Sequence, residues 1–168
     1  MAKVKRKAKA GRAKARKSKK KVVAKSAARA KRRKPQQFTA SHHRDEDFDH
    51  GLRPYSAYRD LGIAAATKGL AVAHVIKMIP PCDPAVVSKR HYHDVDFQMI
   101  YVLKGWIRFV YDGQGERTFQ EGDCVLQPPA IVHNELECSD DVEILEVYSP
   151  AVHQTVVVEA MPATAAAP

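Results

Sequence analysis

Two histidines one residue apart, in His91-Tyr92-His93, stand just ahead of Gln98, and a third, His133, follows a Pro128-Pro129-Ala130 corner. On a strand, positions i and i+2 point to the same side, so His91 and His93 offer two imidazoles to one face. Gln98 starts the next apolar run after the Asp94-Val95-Asp96 turn, and His133 opens a later one. Neutral imidazoles from two strands, converging in a barrel mouth, are the donor set that a divalent transition metal takes. The competing reading is a set of hydrogen-bonded core histidines in a polar-lined barrel that holds no metal. His74 and His153 lie in apolar runs and read as satisfied core or surface residues. His42, His43 and His50 alternate with Asp45, Glu46 and Asp47 and read as part of a solvated loop.

The elements that must position these residues are short and β-like. Leu70–Ile79 is a β-rich run stopped by Pro80-Pro81. Phe97–Leu103 is a second, and Lys104-Gly105 after it predicts a two-residue hairpin into Trp106–Tyr111. Asp112–Gly115 makes a longer turn before Arg117–Phe119, Glu121–Asp123 turns into Cys124–Leu126, and Pro128-Pro129 ends that run. Val132–Cys138 and Val142–Tyr148 follow. Short strands with a turn every eight to twelve residues predict an all-β antiparallel sandwich or barrel. Only Tyr58–Thr67 has room for a short helix. In the Phe97 run, Gln98, Ile100 and Val102 share the inward face, while Phe97, Met99, Tyr101 and Leu103 make the other face apolar too. Such a strand must be covered on both sides, either by chain from Tyr55 to Leu61 or by a second subunit. Glu135 and Glu137 share the inward side of the His133 strand unless a bulge intervenes. Cys124 reads as a small buried hydrophobe.

The intervals carry more than the residues alone. His91-x-His93, four residues, Gln98, six residues, Gly105 resembles the first motif of the cupin superfamily, His-x-His, three or four residues, Glu, six residues, Gly. Gly122, five residues, Pro128-Pro129-Ala130, two residues, His133, three residues, Glu137 is similar to the second, which has Gly for Ala130 and Asn for Glu137. The resemblance implies an antiparallel jelly-roll β-barrel over 52–158. It also implies one divalent transition metal (Fe, Mn, Ni or Zn) held by His91, His93, Gln98 and His133, and frequent dimerisation. Gln in place of Glu removes a negative charge and leaves the full charge of the ion on the metal. That favours Lewis-acid chemistry over high-valent oxygen chemistry. Isomerisation or elimination on a small sugar acid is the activity it suggests, since some small cupins with a Gln ligand resemble such enzymes. A ligand-binding or sensing barrel and a dioxygenase are the alternatives. Glu137, near such a metal, would move protons or accept from a ligand hydroxyl; at a solvated strand end it would do neither. Ala130 for Gly matters only if that residue needs a positive φ.

Charge divides the 168 residues sharply. Residues 1–34 hold 18 Lys or Arg and no acid, while the rest holds ten basic residues against 19 acidic ones, so a net +9 averages +18 and −9. The Lys/Ala-rich tail resembles those of linker-histone-like proteins and is expected to be disordered when free. It is a candidate for non-specific nucleic-acid binding by counterion release, the plain alternative being a solvated charge run. No helix-turn-helix pattern predicts sequence-specific reading. Residues 35–51 read as a linker and 159–168 as a loose Ala/Pro-rich tail. No run of about 18 apolar residues is present, and three cysteines cannot form a paired framework. A cytoplasmic protein with no membrane contact is expected, with a nucleoid or nuclear location open to it through the tail.

Overall fold

A computed structural model describes residues 35–51 and 53–158; the expectations for 1–34 and 159–168 lie outside the described residues. After a 3-10 turn at Asp45–Asp47, eleven strands and two short α-helices make up the described chain: β1 (Asp49–His50), β2 (Ser56–Asp60), α1 (Ile63–Thr67), β3 (Val72–Met78), α2 (Pro84–Val87), β4 (His91–His93), β5 (Phe97–Lys104), β6 (Trp106–Tyr111), β7 (Gly115–Gln120), β8 (Cys124–Leu126), β9 (His133–Cys138), β10 (Glu143–Ser149) and β11 (Thr155–Val157). Two antiparallel sheets result, ordered β1-β2-β3-β10-β5-β8 and β11-β4-β9-β6-β7. This is the expected all-β antiparallel jelly roll.

Alternation builds the core. Ile100 and Val102 of β5, Ile107, Phe109 and Tyr111 of β6, Cys138 of β9 and Ile144 of β10 bury their side chains in one cluster between the sheets. Phe109 and Val102 are among the most deeply buried, at 2% and 1% exposure. Dense burial of this kind is the main favourable term in folding.

Three local expectations need correction. Lys104-Gly105 is not a hairpin: β5 pairs with β10 and β8, whereas β6 pairs with β9 and β7. Gly105, at φ +69°, is the corner where the chain crosses between sheets, and a Cβ there would sit 2.2 Å from Ser139 Oγ. Tyr58–Thr67 holds the expected helix at Ile63–Thr67, after Tyr58–Asp60 ends β2; it is not the one helical stretch, since Pro84–Val87 is helical too. The third concerns Cys124, which is exposed, while Cys82 and Cys138 bring their sulfurs to 3.0 Å.

Residues 55–61 therefore extend a sheet edge and do not cover the outer face of β5, where Phe97, Tyr101 and Leu103 are each about 40% exposed beside Leu126. The stretch read as a linker contributes cover elsewhere. β1 pairs with β2, Ser41 Oγ accepts from Arg59 at 2.9 Å, and Lys77 Nζ lies 3.9 Å above the Phe48 ring.

Candidate metal centre

β4 and β9 meet at a single pair of residues, His91 opposite His133. With His93 two positions along β4, three buried imidazoles enter one space, and one ring nitrogen from each lies within 4.8 Å of the other two. Their far nitrogens are tied back. His91 Nδ1 donates to Lys89 O at 2.7 Å, His133 Nδ1 donates to Ile131 O at 2.9 Å, and His93 Nδ1 lies 2.9 Å from Thr155 Oγ1. A carbonyl only accepts, so His91 and His133 carry the proton on Nδ1 and keep a lone pair on Nε2. This outer bonding fixes the tautomer in metal-binding histidines, so the donor set fits a divalent ion.

Burial keeps the imidazoles neutral. It pushes His93 down to about 3, with His91, His133, His153 and Arg53 adding positive neighbours. His133 falls to about 4, mainly through burial and despite the Ile131 carbonyl. His91 is lowered for the same reason. Neutral rings are the form that binds metal.

Gln98 is buried at 2% exposure, and its Nε2 donates to Glu146 Oε1 at 2.8 Å. That leaves Oε1 as the amide atom with a metal-binding lone pair. The side chain is not among those lining the cavity.

Glu137 does not join this group. The β6–β9 register slips between Arg108 and Phe109, so that Arg108 opposes Glu137 and Phe109 opposes Glu135, with Leu136 the extra residue. This bulge keeps Glu135 on the cavity side but turns Glu137 outward, where it accepts from Arg108 at 2.7 Å. The sequence names a bulge as the exception without locating it.

A cavity of about 860 Å³ surrounds the histidines, within the size range of small-molecule sites. It gathers residues that the spacing of the motifs does not reveal. Glu146 of β10 is buried and accepts from both Gln98 Nε2 and Tyr148 Oη; burial raises its carboxyl above its ordinary value against those two hydrogen bonds. His74 and His153, which the sequence reads as satisfied core or surface residues, also line the cavity. The Tyr148 ring lies 4.6 Å from that of His153, tilted by 49°, and the buried Nδ1 of His153 has no hydrogen-bond partner. Arg53, just before β2, reaches in from the former linker boundary. Its Nη1 donates to Glu135 Oε1 at 2.8 Å and its Nη2 to His91 Nε2 at 3.1 Å. Hydrophobic alternation in β3 and β10 was the available signal for His74 and Glu146; nothing in the sequence signals Arg53.

Fold and site together define a two-sheet antiparallel β-barrel with a three-histidine centre. Residues 82–148 match the family described as the cupin domain, a span that includes all three histidines. No curated protein matches the chain. Among solved structures, the polyketide cyclase RemF from Streptomyces resistomycificus is 18% identical over 74% of this chain and 88% of its own, with a TM-score of 0.58. KdgF from Halomonas sp. is 19% identical over 67% and 94%, TM-score 0.51. A deletion mutant of oxalate decarboxylase OxdC from Bacillus subtilis is 16% identical over 74% and 34%, TM-score 0.53. At these identities the likeness is one of fold. No helix among the described residues is long and apolar enough to cross a membrane.

Proposed function

We propose that the protein is a metal-dependent cupin that holds one divalent transition ion through His91, His93 and His133, with Gln98 Oε1 as a further ligand. The observation that supports this best is the convergence of three buried imidazoles whose Nδ1 atoms are already engaged. Bound there, the ion supplies Lewis-acid polarisation of a ligand oxygen. The chain's own groups do the rest. Glu146, with its raised carboxyl, holds a proton near the cavity and passes it to a ligand, while Tyr148 Oη donates to its other face. The apolar wall excludes water. The reaction class is isomerisation or elimination on a small oxygen-bearing acid, a sugar acid being the sequence-derived example. The test is turnover on a panel of sugar acids and phenolic acids, with and without oxygen. Oxygen-dependent turnover would move the assignment to a dioxygenase.

The second reading is a non-catalytic ligand-binding barrel carried to nucleic acid by residues 1–34. The 18 positive charges of that segment favour it. Full-length protein should then shift DNA with a steep salt dependence, and protein starting near Gln36 should not. A homodimer through the exposed outer face of β5 and β8 belongs to both readings, as does a location in the cytoplasm.

A further inference from the structure

Arg53 and a metal ion require the same lone pair. His91 Nδ1 donates to Lys89 O, so Nε2 is the ring's one acceptor, and Arg53 Nη2 occupies it at 3.1 Å. When a metal takes Nε2, the guanidinium loses that acceptor but stays tethered through Nη1 to Glu135 at 2.8 Å. A partly buried cation with a freed N–H donor is then left beside a dication. Glu135 balances the charge of the guanidinium but not that of the dication, and one anionic oxygen ligand both accepts from the freed N–H and supplies charge to the metal. Among the described residues, Arg53 is the one Arg or Lys side chain lining the cavity, so the anion has a single guanidinium anchor.

The rest of the ligand is constrained by the wall. Ile76 and Ile144 are direct cross-strand partners, Ile100 lies on the neighbouring strand opposite Glu146, and Phe109 closes the patch from the other sheet. Hydrocarbon side chains cannot accept or donate to hydroxyl groups, so hydroxyls on the face of a ligand that rests on these four side chains would lose hydrogen bonds to water without replacement.

We propose that the cavity binds a carboxylate with an apolar body, aromatic or aliphatic. Its carboxylate is shared between Arg53 and the metal centre, and its body lies on the Ile76–Ile100–Ile144–Phe109 wall. Metal binding releases Arg53 from His91 and so creates the anion site. This rests on the metal reading above and replaces the sugar acid with a narrower ligand class.

Calorimetry on the full chain tests it, using metal-free and zinc-loaded samples whose metal content is measured in the same tubes. Benzoate is the apolar-bodied probe and gluconate the polyhydroxylated one. Zinc loading should tighten benzoate binding at least about tenfold, and gluconate should bind about tenfold more weakly than benzoate. Arg53→Gln should lose about tenfold in benzoate affinity while binding zinc more tightly, because the competitor for His91 Nε2 is gone. Arg53→Lys keeps the charge without the fork and should fall between wild type and Arg53→Gln; circular dichroism on both variants confirms the fold. Equal benzoate affinity with and without zinc, preference for gluconate, or weaker zinc binding by both variants would overturn the proposal. Wild-type protein that takes up no zinc would instead remove the metal reading beneath it.

Discussion

His91 stands directly opposite His133 across the β4–β9 pair, with ring centroids 4.5 Å apart. This one register position brings together two residues 42 apart in the chain and sets the geometry of the centre. Because the rings face a cavity, His91→Ala should abolish metal binding and leave the β-sheet circular dichroism spectrum unchanged. Coincident loss of metal and of fold would mean that the imidazoles are structural.

The lowered histidines set a pH dependence with a definite sign. In the unfolded chain an imidazole takes up its proton near 6.5, whereas His133 and His93 do so at about 4 and about 3 in the fold. Between those values the unfolded state binds more protons, so stability of the metal-free protein falls as pH drops through this window. Metal should accordingly survive to about pH 5, lower than ordinary imidazoles would allow. Glu146 acts in the opposite sense: its raised carboxyl contributes stability at low pH that is lost as pH rises through its folded value. Denaturant titrations of metal-free protein between pH 4 and 7 should show a flatter slope in His93→Gln and a steeper one in Glu146→Gln.

Two backbone positions respond oppositely to glycine. Ala130 holds φ +60° on an exposed corner, and Ala130→Gly should stabilise by about 1 kcal/mol after the gain in unfolded-state freedom is subtracted. Gly105→Ala should destabilise by about 2 kcal/mol, since its φ of +69° and the 2.2 Å approach to Ser139 Oγ both resist a Cβ. Chemical denaturation of each variant reads both signs.

Much of this was legible in the sequence, and the failures have a common origin. The motif spacing placed His91, His93 and His133 correctly because a strand's period of two is rigid, and the buried Gln98, Ile100 and Val102 follow from the same alternation. What the sequence could not show is which strands share a sheet. Lys104-Gly105 has hairpin chemistry, yet tertiary pairing sends its two strands to different sheets. Glu137 was placed inward by alternation, and one extra residue, Leu136, reversed it. Arg53 comes from a segment with no period, and the apolar run beside His153 carries no motif, so only folding brings them to the cavity.

The two glutamates separate by experiment. Glu137→Ala should leave metal binding and any turnover unchanged, since its partner is Arg108 on the outer side. Glu146→Gln should lower turnover by about 100-fold, the usual scale for a lost general acid or base, with metal content unchanged. The reverse pattern in steady-state assays would return the catalytic role to Glu137.

Sedimentation velocity checks the subunit proposal. The full chain should run as a homodimer, and Tyr101→Glu together with Leu126→Glu, both on the exposed face, should yield monomers that keep their metal. A wild-type monomer at micromolar concentration would refute dimerisation through this face.

The most direct test of the metal centre is elemental analysis of the full-length protein, purified after growth supplemented with iron, manganese, nickel and zinc. One transition metal per chain is the predicted result, absent in His133→Ala. Wild-type protein without stoichiometric metal under all four conditions would contradict it.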